Sequence, residues 1–235
     1  MKKLSLVLIA MAMLFSSCEK VNGDGPVVTQ TRNITNFAGV DLRVSADVYF
    51  EQSPTYKVEV SAQQNILDVM ETYVSDNKLV VKFENDVRVK SHDPIIVRVW
   101  APSADHFKIS GSGSISATGT LNPSNMEFDI SGSGNINVVE LNTATIDVDI
   151  SGSGDVKVNS GTSTHEKIRI SGSGDVDLGN VAASSADTHT SGSGDIRLHA
   201  AQNLTVRISG SGSVYYKGTP VINSTISGSG RLIHF

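Results

Sequence analysis

The tetrapeptide Ser-Gly-Ser-Gly occurs seven times in this chain, and its even spacing restricts the possible folds more than any other feature of the sequence. The copies begin at residues 110, 131, 151, 171, 191, 209 and 227, so successive copies are 18 to 21 residues apart. One repeat of this length cannot enclose its own core, whereas stacked repeats bury a continuous one. The spacing therefore predicts a solenoid in which each repeat forms one coil.

Each tetrapeptide lies between two segments in which apolar and polar residues alternate, such as 128–130 before one copy and 135–138 after it. Alternation with a period of two predicts half-buried strands. If the coils stack in register, equivalent strands pair in parallel about 4.8 Å apart and the fold is all-β. Two apolar columns then fill the interior: Ile115, Ile136, Val156, Val176, Ile196, Val214 and Leu232 in the first, and Ile109, Ile130, Ile150, Ile170, Thr190, Ile208 and Ile226 in the second.

The glycines of the tetrapeptides are predicted to have a structural role. Glycine reaches the positive φ angles that a sharp corner can require, and it has no side chain that would collide with the coil above. Neither property involves a ligand. These positions hold fourteen of the 21 glycines of the chain: Gly111, Gly113, Gly132, Gly134, Gly152, Gly154, Gly172, Gly174, Gly192, Gly194, Gly210, Gly212, Gly228 and Gly230.

Three aspartates directly follow bends in three successive coils, namely Asp155, Asp175 and Asp195. Stacked carboxylates repel one another, and a calcium ion, which takes several oxygen ligands, would relieve the repulsion. In the alternative interpretation each aspartate caps a turn amide and stays solvated. The residues after the bends do not match the nonapeptide repeat of calcium-binding β-rolls. The sequence allows both interpretations.

Residues 31–235 are predicted to form a single domain, with irregular N-terminal coils over 31–109 and the repeats over 110–235. Within the irregular part, strand patterns lie near 37–44, 46–51, 56–60, 79–83 and 95–100. One short helix is predicted over 65–74, because Ile66, Val69, Met70 and Tyr73 would share one face and Asn65 could be the N-cap. We expect this helix to cover an end or a side of the solenoid.

The first residues are typical of a bacterial lipoprotein signal. Lys2 and Lys3 precede an apolar run over 4–15, which is shorter than the about 20 residues that a membrane-spanning helix needs. Cys18 follows at the place of a lipobox cysteine. We therefore predict a signal peptide over 1–17 and attachment to the membrane through a lipid on Cys18; an ordinary secretory signal is the alternative.

Residues 18–30 are predicted to be a flexible tether, since they lack periodicity and contain the turn-forming run Asn-Gly-Asp-Gly-Pro. Cys18 is the only cysteine, so an intramolecular disulfide is impossible. Without Lys2 and Lys3, 17 basic residues would stand against 24 acidic ones. This negative balance argues against nucleic acid as a partner.

The sequence lacks the His-Glu-x-x-His motif, the nucleophile elbow and a glycine-rich loop between a strand and a helix, so it indicates neither catalysis nor a cofactor. It favours an interaction module with a protein or glycan partner. The alternatives are a β-helical polysaccharide-degrading enzyme and a structural scaffold of the cell envelope. An enzyme would need clustered carboxylates, and aromatic platforms for sugars look scarce because Trp100 is the only tryptophan.

Residues 39–52, 56–60 and 77–81, followed by repeated Ile-Ser-Gly-Ser-Gly, resemble a family called "putative auto-transporter adhesin, head GIN domain". The likeness extends from about residue 36 to about residue 226. It implies a right-handed parallel β-helix, export as a lipoprotein or secreted protein of Gram-negative bacteria, and no assigned catalytic residues. We therefore expect a non-catalytic lipoprotein of the cell envelope, in the outer membrane, with an adhesive or other binding role.

Overall fold

The structure, a computed structural model, describes residues 19–235. The predicted signal peptide and Cys18 lie outside this range. The irregular N-terminal part contains nine strands and one helix: β1 (Glu19–Val21), β2 (Val27–Arg32), β3 (Gly39–Leu42), β4 (Asp47–Gln52), β5 (Lys57–Gln63), α1 (Gln64–Asp68), β6 (Met70–Ser75), β7 (Lys78–Phe83), β8 (Val87–Val89) and β9 (Ile96–Ala101).

The remaining strands belong to the stacked coils. They are β10 (His106–Ile109), β11 (Ser114–Leu121), β12 (Asn125–Ile130), β13 (Asn135–Asn142), β14 (Thr145–Ile150), β15 (Val156–Val158), β16 (Gly161–Ile170), β17 (Val176–Thr190), β18 (Ile196–Ile208), β19 (Val214–Lys217), β20 (Val221–Ile226) and β21 (Leu232–His234). All pairings among these strands are parallel. The predicted all-β parallel solenoid is confirmed.

Two stacks of strands form the sides of the solenoid. The pre-bend face contains the strands that lead into the tetrapeptides, from β10 and β12 to the second half of β18 and β20. The post-bend face contains those that follow the tetrapeptides, from β11 and β13 to β19 and β21. The long strands β17 and β18 contribute to both faces because each continues through most of a coil.

Both predicted apolar columns are confirmed at every step of the register. The first column also continues into the irregular part, where Ile115 stacks on Val48 and Val48 stacks on Val97. Ile115, Val48 and Val97 are fully buried, whereas Ile226 at the far end of the second column is 42% exposed, so the prediction that this position lies in the interior was wrong. The irregular part and the repeats therefore share one hydrophobic core, since the core runs without interruption from one into the other.

The N-terminal end of the solenoid is closed by antiparallel strands. On the post-bend face β5 pairs antiparallel with β9 and β2 pairs antiparallel with β5, and on the pre-bend face β6 pairs antiparallel with β7. The helix α1 connects β5 with β6 and buries Ile66 and Leu67, as expected for an element at the end of the core. Antiparallel strands and a helix interrupt the parallel pattern, so they oppose further stacking at this end.

The predicted helix over 65–74 was too long. The helix ends after five residues at Asp68, and residues from Met70 form strand β6. A two-residue turn at Asp76 and Asn77, both with positive φ, joins β6 to β7 as a type I′ hairpin. The β-branched and aromatic residues of β6 pair across this hairpin, and that pairing prevails over the helical spacing.

The segment predicted as a flexible tether is largely paired. β1 lies parallel to β8, and β2 lies antiparallel to β5. Between them the Asn65 side chain accepts a hydrogen bond from the Asp24 amide (3.0 Å) and donates one to the Asn22 carbonyl (2.7 Å). Asn65 therefore binds the N-terminal segment and does not cap α1, whose N-cap position is Gln63. Within residues 19–235 no helix is long and apolar enough to cross a membrane.

Candidate functional site

The Ser-Gly-Ser-Gly bends stack directly on one another. From the second copy onward, the amide of the second serine donates to the carbonyl of the first glycine one coil earlier, as in Ser173 to Gly152 and Ser193 to Gly172, both at 3.0 Å. Most of the serines are exposed and most of the second glycines are buried. The bends thus continue the hydrogen-bond ladder around the corner of the solenoid.

Close packing, and not an unusual backbone angle, explains the glycines. A β-carbon added to Gly172 would overlap the carbonyl oxygen of Gly152, and the same holds from Gly132 onward through the stack. Of the fourteen bend glycines only Gly228 has a positive φ. The predicted steric role agrees with the structure, whereas the predicted need for positive φ was wrong for the other thirteen.

The aspartates that follow the bends form a ladder with the main chain. The Oδ1 atom of Asp155 accepts a hydrogen bond from the Asp175 amide (2.8 Å), and Asp175 accepts one from the Asp195 amide (2.7 Å). Asn135 occupies the equivalent position one coil before Asp155, and its side-chain oxygen accepts from the Asp155 amide (3.1 Å). Since a neutral amide serves in the same position, the ladder is explained by main-chain capping.

An aromatic cleft, which the sequence analysis did not identify, lies on the post-bend face of the irregular part. It comprises Tyr49 and Glu51 of β4, Ile96, Arg98 and Trp100 of β9, and Thr118 of β11, and its volume is about 360 Å³. The strands place these side chains outward by alternation, because Val48, Phe50, Val97 and Val99 point into the core.

The Trp100 ring in this aromatic cleft is held on both sides. Its Nε1 donates a hydrogen bond to Glu51 Oε2 at 3.0 Å, and Lys57 Nζ lies 4.9 Å from the ring centroid. Lys57 also pairs with Glu59, with 2.7 Å between Nζ and Oε1. Tyr49 stacks next to Arg98 across the two strands, and its side chain is among the exposed large hydrophobics, with 43% of the residue surface accessible.

A second cluster lies on the pre-bend face, where the irregular part meets the first regular coil. His106 Nε2 is 2.9 Å from Asp129 Oδ2, and His106 Nδ1 is 3.4 Å from Glu127 Oε2. The hydrogen bond from the His106 imidazole holds the pKa of Asp129 below its ordinary value, and partial burial opposes this shift. These groups are of types that can bind a metal, but both ring nitrogens already face a carboxylate oxygen.

Glu166 is a carboxylic acid buried inside the solenoid. It stacks between Ile146 and Ala186 and is fully inaccessible. Its Oε1 lies 3.5 Å from Ser163 Oγ, and its Oε2 has no hydrogen-bond partner among the described residues. Burial penalises the charged form and raises the pKa of this carboxyl well above its ordinary value. The position interrupts an otherwise apolar column.

The sequence contains a partial signal for the aromatic cleft. Alternation within 47–52 and 96–101 already places Tyr49 and Trp100 on the outside of their strands. Their proximity depends on β9 pairing with β4, although β5 to β8 intervene in the chain. Local alternation does not predict that β9 pairs with β4. From the sequence alone, Tyr49 and Trp100 therefore look like two unrelated exposed aromatic residues.

The parallel coils, the solid apolar core and the open surface clefts define a repeat protein of the β-solenoid class. Residues 36–220 match the model of the family described as "Putative auto-transporter adhesin, head GIN domain", and the chain belongs to this family. The resemblance seen in the sequence is thereby confirmed. No curated protein is significantly similar to the chain.

Several solved structures share the fold. A "putative adhesin" from Bacteroides fragilis superposes with a TM-score of 0.87 at 23% identity, covering 92% of this chain and 100% of that one. A "putative adhesin" from Parabacteroides merdae gives 0.75 at 22% identity, covering 92% and 99%. A "Putative lipid binding protein" from Parabacteroides distasonis gives 0.73 at 24% identity, covering 92% and 100%. At these identities the likeness shows the fold alone.

Proposed function

We propose that this protein is a non-catalytic adhesin of the bacterial cell envelope, anchored by a lipid on Cys18. The observation that carries the proposal is the division of the molecule into a filled core and long outer faces lined with polar side chains. Such a solenoid offers a large binding surface, because each added coil extends the surface and is stabilised by the same contacts with its neighbour as the coil before it. Membership of the adhesin family supports the same role.

Three of the carboxylates that cluster on the surface of the solenoid have hydrogen-bond partners within the protein. Asp155 and Asp175 accept hydrogen bonds from main-chain amides of the next coil, and Asp129 is hydrogen-bonded to His106. A glycosidase needs one carboxyl that donates a proton and a second that acts as base or nucleophile on either side of a bound sugar. The aspartate ladder instead forms a single row along one corner, so the geometry supports binding rather than hydrolysis.

Retention on immobilised ligands tests the adhesive role. Latex beads carrying the protein from Cys18 onward should be retained on mucin, collagen or fibronectin more strongly than beads carrying albumin. No retention above the albumin beads on any of these three surfaces, or on purified envelope of other cells, would contradict the proposal. Incubation with polysaccharides should release no reducing ends.

The anchor and its location need separate experiments. Mass spectrometry of the exported protein should show an acylated Cys18 at the new N-terminus, and Cys18→Ser should release the protein from the membrane. Protease treatment of intact cells should remove the protein if it faces outward. Protection in intact cells but not in lysed ones would place it in the periplasm and contradict adhesion to other surfaces.

A further inference from the structure

We propose that the aromatic cleft around Tyr49 and Trp100 is a glycan-binding site that holds a pyranose ring. This inference rests on the proposed function and specifies the ligand class and the surface that an adhesin of this kind would use. The argument depends on the exposed aromatic surface, on the fixed geometry of Trp100 and on the polar groups around the two rings.

The first step concerns the aromatic surface. Tyr49 and Trp100 occupy neighbouring strands two positions apart in register, because Tyr49 pairs with Arg98 and Trp100 pairs with Glu51. Because parallel strands are about 4.8 Å apart and rise about 3.3 Å per residue, such diagonal neighbours lie about 8 Å apart and can act together on one ligand. The C–H groups on one side of a pyranose ring carry partial positive charge, which suits the negative face of an aromatic ring.

The second step concerns rigidity. The hydrogen bond from Trp100 to Glu51 and the Lys57 ammonium near the ring fix the indole between β4 and β5. Lys57 is in turn held by Glu59. A ring that is already oriented loses little conformational entropy on binding, and this preorganisation favours weakly binding ligands such as sugars.

The third step concerns the polar rim. Glu59, the cross-strand neighbour of Arg98, pairs with Lys57, and within residues 19–235 the Arg98 guanidinium has no ion-pair partner. Arg98 can therefore donate to sugar oxygens, while the second carboxylate oxygen of Glu51 and the Thr118 hydroxyl can accept from sugar hydroxyls. Donors and acceptors around an aromatic surface match the alternating hydroxyls and C–H faces of a saccharide.

The size of the aromatic cleft favours a sugar over a protein partner. Its volume of about 360 Å³ is at the small end of the range for small-molecule sites. A stable protein interface buries about 800 Å² on each partner and has an apolar centre. The surroundings of this cleft are instead polar, since Tyr49 is followed along the post-bend face by Ser116, Asn137 and Lys157. This row could contact further residues of an extended glycan.

Tryptophan fluorescence gives a direct test, because Trp100 is the only tryptophan and any change in its emission reports on this cleft. The probes are cellohexaose, laminarihexaose, mannohexaose, chitohexaose and a hyaluronan octasaccharide. At least one of them should change the emission saturably, and Tyr49→Ala should weaken its binding at least tenfold. Calorimetry with the same probe should show a similar loss for Trp100→Phe and for Arg98→Ala.

Tyr73→Ala is the matched control, since Tyr73 is similarly exposed (39%, against 43% for Tyr49) but lies on the hairpin strand β6. It should bind the probe with wild-type affinity. Circular dichroism and the thermal midpoint should show that Tyr49→Ala stays folded. The assignment is wrong if none of the five probes gives a saturable change, or if Tyr49→Ala binds as tightly as wild type.

Bead retention separates this inference from the proposed function. If wild-type and Tyr49→Ala beads are retained equally on mucin, the protein is adhesive but this cleft is not its glycan site. If Tyr49→Ala loses retention on deglycosylated collagen while no saccharide binds, the cleft recognises protein and the glycan assignment is overturned. If wild-type beads are retained on none of the surfaces, the proposed function fails, whereas saccharide binding in solution still decides the assignment of the cleft.

Discussion

The repeats from residue 110 onward and the irregular part before them share one hydrophobic core but arrange their strands around it differently. In the repeats, each coil places nearly the same residues in the same columns, and the bend glycines from Gly132 onward lie too close to the preceding coil to be replaced by a residue with a side chain. In the irregular part, strands from distant segments meet, and β9 lies between β4 and the antiparallel β5. The comparison indicates that regular stacking supplies extent and rigidity, whereas irregular pairing supplies distinctive surface chemistry.

The two ends of the molecule show the same contrast. The N-terminal end is covered by α1 and by antiparallel strands that bury Ile66 and Leu67. The last coil carries β20, all six residues of which are exposed, including Val221 at 75%. Within residues 19–235, antiparallel strands and a helix occur in the irregular part alone, and the regular coils contain neither.

The largest effect is expected from a glycine-to-alanine substitution at a bend, which tests whether crowding between coils requires glycine there. Gly172→Ala should destabilise the protein by at least about 4 kcal/mol or prevent folding, because the β-carbon would overlap the Gly152 carbonyl and force two coils apart. Urea unfolding followed by circular dichroism measures the change. Gly119→Ala is the control: its φ is +86° but its β-carbon would meet nothing within 4 Å, so a cost of about 1 kcal/mol is expected. Equal effects of the two substitutions would show that crowding does not govern the bends.

Substitutions of Glu166 test whether a buried carboxyl inside the repeats lowers the stability of the protein. Glu166→Leu should stabilise the protein by about 2 kcal/mol at neutral pH, since it removes a carboxyl that burial disfavours and continues the apolar column. Glu166→Gln, which keeps the polar group without the charge, should stabilise it less. A loss of stability in Glu166→Leu would mean that the carboxyl has a partner that this arrangement does not explain.

The same substitution has a defined pH dependence. The pKa of Glu166 is raised in the folded state, so the unfolded chain releases its proton first and wild-type stability falls as pH rises above the ordinary value of 4.5. The advantage of Glu166→Leu over wild type should therefore grow as pH increases from 4.5 toward the folded-state pKa. A difference between the two proteins that is independent of pH would contradict burial of an ionisable group at this position.

The aspartate ladder distinguishes capping from ion binding. Asp175→Ala should lose about 1 kcal/mol, because the Asp195 amide loses its acceptor, while Asp175→Asn should stay within about 0.5 kcal/mol of wild type. Asn135 already performs this role two coils before Asp175, where it accepts from the Asp155 amide. Thermal midpoints should be unchanged by calcium chloride and by a chelator. A calcium-dependent rise in the wild type that Asp175→Asn abolishes would favour the ion site.

The smallest effect is expected where the two regions join. His106 lies on β10 and Asp129 on β12 of the first regular coil, so His106→Ala should cost at most about 1 kcal/mol for this partly exposed pair. The contribution of Asp129 is present above its ordinary pKa of 3.8 and is lost as pH falls through its lowered folded-state pKa. Urea unfolding across that range should show the difference between wild type and variant shrinking toward acid. A difference that persists there would exclude this ion pair as its cause.

Much of the fold could be predicted, because strand alternation and the tetrapeptide period act locally and repeat. Ile136, Val156 and Val176 stack as predicted, since each occupies the same place in its coil. The helix over 65–74 and the tether over 18–30 were each predicted from the pattern of a single segment, and both were altered by strand pairing, with the adjacent strand of a hairpin for the helix and with a distant strand for the tether. Val74 of the expected helix pairs with Leu79, and Gln30 of the expected tether pairs with Val60.

The sequence by itself determined the length of the coils, their register and the need for glycine at the bends, because these depend on contacts between equivalent positions one period apart. Only the tertiary structure decided how the N-terminal end is closed, that Tyr49 and Trp100 line the same cleft, and that one oxygen of Glu166 has no hydrogen-bond partner within residues 19–235. Each of those outcomes depends on which distant strands become neighbours. The physical reason is that pairing between non-equivalent segments depends on the packing energy of the whole core. No single stretch of sequence contains that energy.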